Sequence, residues 1–307
     1  MGLNPVTRRE ALLGLLGAGA LHAAPKLELL KSGNSTIEIE IGDGSLDLPR
    51  EALVDWVNKA VRAVETYYGR FPVPKARVFI HPVDGRSSVF NGVTFGRVPT
   101  FTRISVGQHV TQAILDSDWV ITHELVHLAF PSVPRENHWI EEGLATYIEP
   151  LARLFVKQIT EDVFWRDMIR DMPQGLPKSG DEGLDHTHTW GRTYWGGAIF
   201  CLQTEVAIRE RTNNKKGLRD ALRGILETVG SIQEDVELQP VLEAGDKATG
   251  TTVLTETYGR VKNQPEPMNL DALWKSLGVS WRDGKVSYND KARLAATRHA
   301  IVAPGKL

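Results

Sequence analysis

The chain has 307 residues, 41% of them hydrophobic and 24% charged, which is enough apolar material for one large or two small packed units. Lysine plus arginine (36) nearly balances aspartate plus glutamate (38), so the net charge of −2 gives no basis for binding nucleic acid or an anionic membrane. The single cysteine, Cys201, excludes an internal disulfide, and no apolar run is long enough to predict a transmembrane helix in the mature chain.

The first 24 residues have the pattern of an export signal. Arg8 and Arg9 precede a short apolar stretch, residues 11–21, which is followed by small residues. This order is typical of a signal peptide, and the arginine pair resembles a twin-arginine signal. We therefore expect residues 25–307 to form a mature chain that is periplasmic or extracellular. An ordinary secretory signal or an uncleaved N-terminal helix is the alternative.

The next part of the chain is expected to form strands around one helix. Residues 36–41 alternate between apolar and polar side chains, and residues 77–80 and 101–106 also have the composition of strands. A helix between residues 49 and 69 has apolar side chains at the three-four spacing of one buried face. The glycine-rich, polar stretch 84–102 is expected to be a long loop beside the functional site.

Residues 116–130 are predicted to form a single helix. Asp116 or Ser117 could cap its first N–H groups, and acidic residues in the first turn suit the helix dipole. Pro131 cannot continue the helix and also disfavours helical geometry at the residue before it.

This helix contains the sequence His-Glu-Leu-Val-His at residues 123–127. Residues four apart project from one face of a helix, so His123 and His127 could bind the same metal ion. Glu124 lies about 100° further round the axis, where it could act as a base beside a metal-bound water. The spacing is the H-E-x-x-H signature of zinc hydrolases. The alternative is a helix with two histidines at a buried edge.

A catalytic zinc needs a third protein ligand, and residues 138–147 read His-Trp-Ile-Glu-Glu-Gly-Leu-Ala-Thr-Tyr. With the first motif, this segment resembles the gluzincin metallopeptidases, which include the aminopeptidase N-like and glycyl aminopeptidase-like families. In those families a tryptophan precedes the ligand glutamate by three residues and a glycine follows it. The resemblance implies that Glu142 is the third zinc ligand and that Glu141 lies at the cleft edge or in solvent.

Residues 193–198 read Thr-Tyr-Trp-Gly-Gly-Ala and resemble the Tyr-x-Lys-Gly segment of the same families, with Gly196 in place of the lysine. The resemblance implies that Tyr194 donates a hydrogen bond to the oxyanion of the transition state. The alternative is a tyrosine that packs at the start of a helix.

The loop before Tyr194 contains several residues whose roles the sequence leaves open. A solvated or pocket-lining pair is favoured for His186 and His188 over a second metal site. Trp190 and Trp195 could line a substrate pocket or belong to the core. For Arg192, a surface position is favoured over contact with a substrate carboxylate.

Beyond the second motif the pattern is mainly helical. Helices are predicted near 139–158, 161–171, 194–211, 217–228, 247–262, 269–277 and 290–300, with an Asp283-Gly284 hairpin before the last. Strands followed by helices predict an α+β fold, with a mixed sheet lobe, 25–138, that carries the metal helix, and a mainly helical lobe, 139–307. The resemblance implies a thermolysin-like gluzincin catalytic domain with the zinc cleft between the lobes.

The resemblance also implies that the strand before the metal helix, 101–106, forms the cleft rim and pairs with the substrate backbone. Aminopeptidase N-like enzymes carry a Gly-x-Met-Glu-Asn segment there, whose glutamate holds a free amino terminus. This chain has instead Gly-Val-Thr-Phe-Gly at residues 92–96, without a carboxylate.

We therefore expect a metallopeptidase with one Zn²⁺ per chain and a peptide or protein substrate, with endopeptidase action favoured over ordinary aminopeptidase action. One alternative is a non-catalytic peptide-binding protein, a chaperone or adaptor, on the same scaffold; its cleft would not need the intact Glu124. The other alternative is a zinc hydrolase of another amide.

Overall fold

The computed structural model describes residues 27–304, so the predicted signal peptide, residues 1–24, lies outside the described residues. The first part of the chain forms β1 (Glu28–Ser32), β2 (Ser35–Ile41), α1 (Arg50–Tyr68), β3 (Lys75–Val83), β4 (Val89–Phe95) and β5 (Thr100–Gly107). The rest forms α2 (Gln112–Ser117), α3 (Val120–His127), α4 (His138–Phe155), α5 (Glu161–Asp171), α6 (Gly197–Thr212), α7 (Leu218–Thr228), α8 (Leu238–Thr249), α9 (Val253–Val261), α10 (Leu270–Leu277), β6 (Val279–Arg282), β7 (Lys285–Tyr288) and α11 (Ala295–Val302).

Five strands form one mixed sheet in the order β1-β2-β3-β5-β4. The central strands β2, β3 and β5 are parallel, whereas β1 and β4 pair antiparallel at the two edges. Parallel neighbours need a crossover connection, and α1 provides it between β2 and β3. The apolar side chains of the central strands are fully buried: Ile37, Ile39, Val78, Ile80, Ile104 and Val106. The structure is therefore α+β with a mixed sheet, as the sequence predicts.

Helix α1 agrees with the helix predicted between residues 49 and 69. Its buried side chains repeat every three to four residues, among them Leu53, Trp56, Val57, Ala60 and Val64. The chain leaves the helix at Gly69, whose backbone has φ 83°, and the Gly69 N–H donates to the Glu65 carbonyl. A left-handed residue at this position is the usual helix end, and glycine adopts it without steric cost.

The prediction of a loop over 84–102 was wrong, because the stretch contains strand β4. Consequently the sheet edge beside the metal helix is β4, and the predicted rim strand, observed as β5, lies inside the sheet. A bulge between Phe90 and Gly92 interrupts the pairing with β5, and Asn91 there has φ 52°. The bulge breaks the two-residue period by which a strand is recognised in a sequence.

The prediction of one helix over 116–130 was also wrong. Helix α2 ends at Ser117 and α3 begins at Val120, with Asp118 between them. The Asp118 carboxylate accepts hydrogen bonds from the backbone N–H groups of Val120 and Ile121, both at 3.2 Å. Asp118 is therefore the residue that satisfies the start of α3, and not Asp116 or Ser117.

The helical part differs from the predictions mainly at its boundaries. The helix predicted at 247–262 is two helices, α8 and α9, which separate at Gly250 with φ 69°. The helix predicted over 194–211 is observed as α6, which begins only at Gly197. A π-helical turn, Arg192–Gly196, precedes α6. The Asp283-Gly284 hairpin between β6 and β7 is confirmed, with φ 50° and 75° at its two turn residues. Among the described helices, none has both the length and the apolar content that crossing a membrane requires.

Candidate metal centre and active site

Three predicted metal ligands lie together between α3 and α4. The ligand atoms of His123, His127 and Glu142 are all within 4.8 Å of one another. Nε2 of His123 is 3.1 Å from Oε2 of Glu142, and Nε2 of His127 is 3.7 Å from the same oxygen. The side chains of His123, His127 and Glu142 are 7%, 14% and 11% exposed, so the group is largely buried but still reached by solvent.

The three donor atoms fit a four-coordinate zinc ion. Zinc bonds to nitrogen and oxygen of about 2.1 Å in a tetrahedron place neighbouring donors about 3.4 Å apart. The distances of His123 and His127 to Glu142, 3.1 and 3.7 Å, bracket this value. Two imidazoles and one carboxylate also leave the fourth position open, as in catalytic sites. The geometry therefore suits a metal that can bind a further small molecule.

The protonation of the group favours metal binding. Burial lowers the pKa of His127 to about 4, so its imidazole is neutral near pH 7 and can act as a ligand. Burial alone would raise the pKa of Glu142, but hydrogen bonds with His123 and His138 outweigh it and hold the pKa well below the ordinary value. Glu142 is consequently an anion, which is the form of a carboxylate that binds a metal.

His138 contacts both glutamates of the second motif. Its Nε2 atom lies 3.2 Å from Oε1 of Glu142, the carboxylate oxygen opposite the one near His123. Its Nδ1 atom lies 2.7 Å from Oε2 of Glu141. The two acidic partners raise the pKa of His138 to about 10, against the smaller effect of burial. His138 is thus a cation near pH 7 that orients Glu142, and Glu141 pairs with its other ring nitrogen and is not part of the group of ligand atoms.

Glu124 lies beside the ligand group and is itself buried, with 8% of its surface exposed. Burial raises the pKa of its carboxyl group, and a hydrogen bond from Thr94 opposes this shift. The Thr94 hydroxyl lies 2.8 Å from Oε2 of Glu124. Gly92, two residues earlier on β4, also packs against this glutamate, because a Cβ atom at Gly92 would overlap the Glu124 side chain. Strand β4 therefore forms one wall of the site.

Tyr194 lies in the π-helical turn on the other side of the cleft. Its ring stacks on that of His123 with 6.2 Å between centroids, and this contact brings the phenol to the metal-ligand group. Burial, followed by the negative charge of Glu142, raises the pKa of Tyr194 to about 12, so the phenol keeps its proton near pH 7. Single π-helical turns are frequent at functional sites because they change the direction of one side chain.

Two motif glycines contact each other where α4 meets α6. Gly143 follows the third ligand, and Gly197 is the glycine of the predicted tyrosine segment. A Cβ atom at Gly143 would overlap Cα of Gly197, and one at Gly197 would overlap the Trp139 carbonyl oxygen. The absence of side chains at both positions lets the backbones touch, and this close approach places Tyr194 opposite Glu142.

The motif tryptophan, Trp139, is fixed by a buried polar network. Its indole N–H donates to Oδ1 of Asp185 at 2.8 Å, and the Asn137 side-chain amide donates to the same oxygen at 3.0 Å. The Tyr258 hydroxyl donates to the other oxygen of Asp185 at 2.8 Å. The network therefore ties the first turn of α4, which carries Glu142, to the loop before Tyr194 and to α9.

The other residues of this loop have no part in the ligand group. His186 and His188 are both exposed, and His186 contacts Asn263 at 3.0 Å. Arg192 is 7% exposed and pairs with Asp181 at 2.7 Å. The prediction of a surface arginine was therefore wrong, because Arg192 holds the loop from inside the protein. Trp195 is half-buried against the core, whereas Trp190 is exposed.

The sequence interpretation missed His138, Thr94 and Asp185. His138 precedes Glu142 by four residues on the same helix, so its helical spacing is a signal that points to this contact. Thr94 and Asp185 have no such signal, because they reach the site from a distant strand and a distant loop.

The fold is that of known zinc metallopeptidases. No family model matches the sequence, and no curated protein matches it. A solved structure of an aminopeptidase N family protein from Idiomarina loihiensis matches with a TM-score of 0.65 and 12% identity, over 83% of this chain and 49% of that one. The resemblance to the aminopeptidase N-like group is thereby confirmed for the fold.

Two further solved structures match less closely. One is a two-domain M1 zinc metallopeptidase mutant bound to L-arginine, with a TM-score of 0.52 and 16% identity over 79% of this chain and 54% of that one. The other is an M1 zinc metallopeptidase mutant from Deinococcus radiodurans bound to a Tyr-Ser-Ala substrate, with a TM-score of 0.51 and 13% identity over 79% and 53%. This chain thus spans about half the length of the structures that it matches.

Proposed function

We propose that this protein is a zinc metallopeptidase in which His123, His127 and Glu142 bind the metal. The observation that carries the proposal is the group of three ligand atoms within 4.8 Å, with the buried carboxylate of Glu124 beside it. A pair of histidines held only for packing would need neither the third ligand nor a second acid. The fold shared with zinc metallopeptidases supports the same function.

A bound zinc ion supplies a Lewis acid that polarises the scissile carbonyl and lowers the pKa of a water molecule. Glu124 takes the proton from the attacking water and passes it to the leaving amine. Its raised pKa suits this exchange, because a carboxyl group that is too acidic would not carry the proton forward. Tyr194 keeps its proton near pH 7 and donates a hydrogen bond to the developing oxyanion.

The mode of cleavage that we propose is endopeptidase action, or an unusual end-specificity, in preference to ordinary aminopeptidase action. Strand β4 forms the wall beside Glu124, and its residues 89–95 include no carboxylate that could hold a free amino terminus. β4 is also a sheet edge, to which an extended peptide can add as a further strand. Both features suit a substrate that passes through the cleft.

The experiment that tests the function is a digest of a peptide library by the purified, zinc-reconstituted protein, read by mass spectrometry. Glu124→Gln is the matched variant, because the amide nearly preserves the shape of the carboxylate and removes the base. We expect internal cleavage products with wild type and a rate on the order of 10²–10⁴-fold lower with Glu124→Gln. Equal rates for both proteins would exclude Glu124 from the mechanism. Absence of products from both would favour a peptide-binding protein.

The cleavage mode needs a separate comparison between free and N-acetylated forms of the same peptides. We expect both forms to be cut at the same internal bonds. Stepwise removal of residues from the free peptides, with the acetylated ones untouched, would show aminopeptidase action and contradict this part of the proposal.

Two finer parts of the interpretation stay predictions. One is the thermolysin-like arrangement of a sheet lobe, 25–138, and a helical lobe, 139–307. The other is export of the protein by a twin-arginine or an ordinary secretory signal within residues 1–24. N-terminal sequencing of protein isolated from the producing cells and from the medium would test the second, since an exported chain should begin near residue 25.

A further inference from the structure

Two exposed tryptophans lie next to the candidate active site. Trp119 is 52% exposed and directly precedes α3, and Trp190 is 60% exposed and precedes the π-helical turn. The chain's six other tryptophans are buried or half-buried. Single exposed apolar side chains are common, but two tryptophans that flank the same site indicate a surface that binds a partner.

Both indole rings are connected to the site through aromatic contacts. The Trp119 ring lies 5.5 Å from the His123 ring at an interplanar angle of 84°, an edge-to-face contact. The Trp190 ring stacks on the Tyr194 ring at 5.5 Å and 24°. His123 and Tyr194 in turn stack on each other at 6.2 Å. The tryptophans therefore flank the pair formed by a metal ligand and the candidate oxyanion donor.

We propose that Trp119 and Trp190 are specificity-determining residues, each of which forms a binding surface for one substrate side chain next to the scissile bond. This inference rests on the proposed peptidase function. It assigns the substrate class as extended peptides with aromatic or large aliphatic residues at the cleavage site. Side chains of this kind cover an exposed indole face and gain from stacking on it.

A basic substrate side chain could also stack on an indole, but the surroundings favour an apolar one. The carboxylate nearest in sequence to Trp119 is Asp118, which accepts hydrogen bonds from Val120 and Ile121. The residues on either side of Trp190 are Thr189 and Gly191, which are uncharged. The residues next to the two tryptophans in sequence thus supply no unpaired carboxylate for a substrate cation, whereas an apolar side chain gains from the exposed indole faces alone.

Internally quenched, N-acetylated peptides that differ only in the two residues at the cleaved bond provide the test. The pairs are Phe-Gly, Gly-Phe, Leu-Leu, Lys-Lys and Gly-Gly. For wild type we expect kcat/KM to be at least roughly 10-fold higher with a Phe- or Leu-containing pair than with Lys-Lys or Gly-Gly. Equal values for all pairs, or the highest value for Lys-Lys, would overturn the inference and leave the peptidase function standing.

The variants Trp119→Ala and Trp190→Ala assign the two surfaces. Each should lower kcat/KM roughly 10-fold more for the peptide with Phe on one side of the bond than for the Gly-Gly peptide. Trp119→Phe and Trp190→Phe should retain most of the preference. The control is Leu29→Ala, which removes a 62% exposed apolar side chain from β1 and should change nothing. Loss of cleavage of all peptides by the same factor would indicate a structural role and contradict the inference.

Binding to zinc-loaded Glu124→Gln protein separates this inference from the proposed function. Calorimetry should show tighter binding of Phe-containing than of Gly-Gly peptides, and Trp119→Ala or Trp190→Ala in this background should remove the difference. If wild type cleaves nothing but this binding pattern appears, the peptidase proposal fails, and only the assignment of Trp119 and Trp190 as surfaces that bind peptide side chains stands. If the Phe-containing and Gly-Gly peptides bind equally, the inference fails.

Discussion

The Thr94 hydroxyl lies 2.8 Å from the Glu124 carboxylate, so an edge strand reaches the glutamate of the His-Glu-Leu-Val-His motif. The same hydroxyl is 3.0 Å from the backbone oxygen of Glu124 and 3.1 Å from the Thr102 hydroxyl. Because a hydroxyl has one proton, Thr94 can donate to only one of these oxygens at a time, and Thr102 can donate to Thr94. The sheet edge therefore sets the orientation of the candidate base.

Replacing Thr94 with valine should lower kcat without loss of zinc. Valine keeps the branched shape and removes a hydrogen bond to a carboxylate, which is typically worth about 1.5–3 kcal/mol or roughly 10–100-fold in rate. Thr94→Ser is the control, since it keeps the hydroxyl and should retain most activity. Steady-state kinetics and metal analysis check both variants. A Thr94→Val protein with wild-type kcat would show that Thr94 serves only to pack β4 on α3.

Zinc content should depend on Glu142 and not on Glu141. Wild type should bind near one equivalent, and His123→Ala, His127→Ala and Glu142→Ala should bind far less. Glu141→Ala is the matched control, because Glu141 pairs with His138 and is not part of the group of ligand atoms. Elemental analysis after reconstitution checks the set. The reverse result for the two glutamates would reassign the third ligand.

His138→Ala should weaken zinc binding while leaving the three ligands in place. His138 holds Oε1 of Glu142 at 3.2 Å, and loss of such an outer partner typically costs roughly 10–100-fold in metal affinity. Competition with a chromophoric chelator measures the effect. Thermal unfolding of the metal-free protein is measured in parallel, since the loss of His138 also removes its ion pairs with Glu141 and Glu142 and is expected to lower stability. Unchanged affinity would limit His138 to a surface contact.

Tyr194→Phe should lower kcat by roughly 10²-fold, or about 3 kcal/mol in the barrier, with little change in KM. The substitution removes only the hydroxyl, so the ring contact with His123 and the zinc content should persist. Kinetics with the best peptide substrate provide the measurement. Undiminished kcat would return Tyr194 to a packing role and would leave the oxyanion donor unassigned.

Gly197→Ala should destabilise the protein by roughly 1–3 kcal/mol, the usual cost of forcing an extra methyl group into a packed interior. The added Cβ would overlap the Trp139 carbonyl oxygen and push α6 away from α4. Chemical denaturation measures the loss. Gly259→Ala, at a helix position with open space around it, is the control and should be close to neutral or slightly stabilising. Equal stability of both variants would mean that the two helices can separate at no cost.

Much of the fold could be predicted from the sequence, because its signals are local. The alternation in residues 36–41 and the Asp283-Gly284 turn each specify their structure within a few residues, and both are observed as predicted. The pairing of His123 with His127 follows from the helical repeat alone. The resemblance of the surrounding motif to the gluzincins implies Glu142 as a ligand, and the structure brings its carboxylate to both histidines.

Only the tertiary structure decided which elements surround these residues. Strand β4 escaped prediction because its bulge breaks the strand period, and its place at the sheet edge depends on the order of five strands. The contacts of Thr94 with Glu124 and of Gly143 with Gly197 join segments that lie far apart in the chain. A local pattern records the conformation of a segment, whereas such contacts depend on how whole elements pack. For that reason the sequence alone is enough to propose the three metal ligands, whereas only the packing shows which elements surround them.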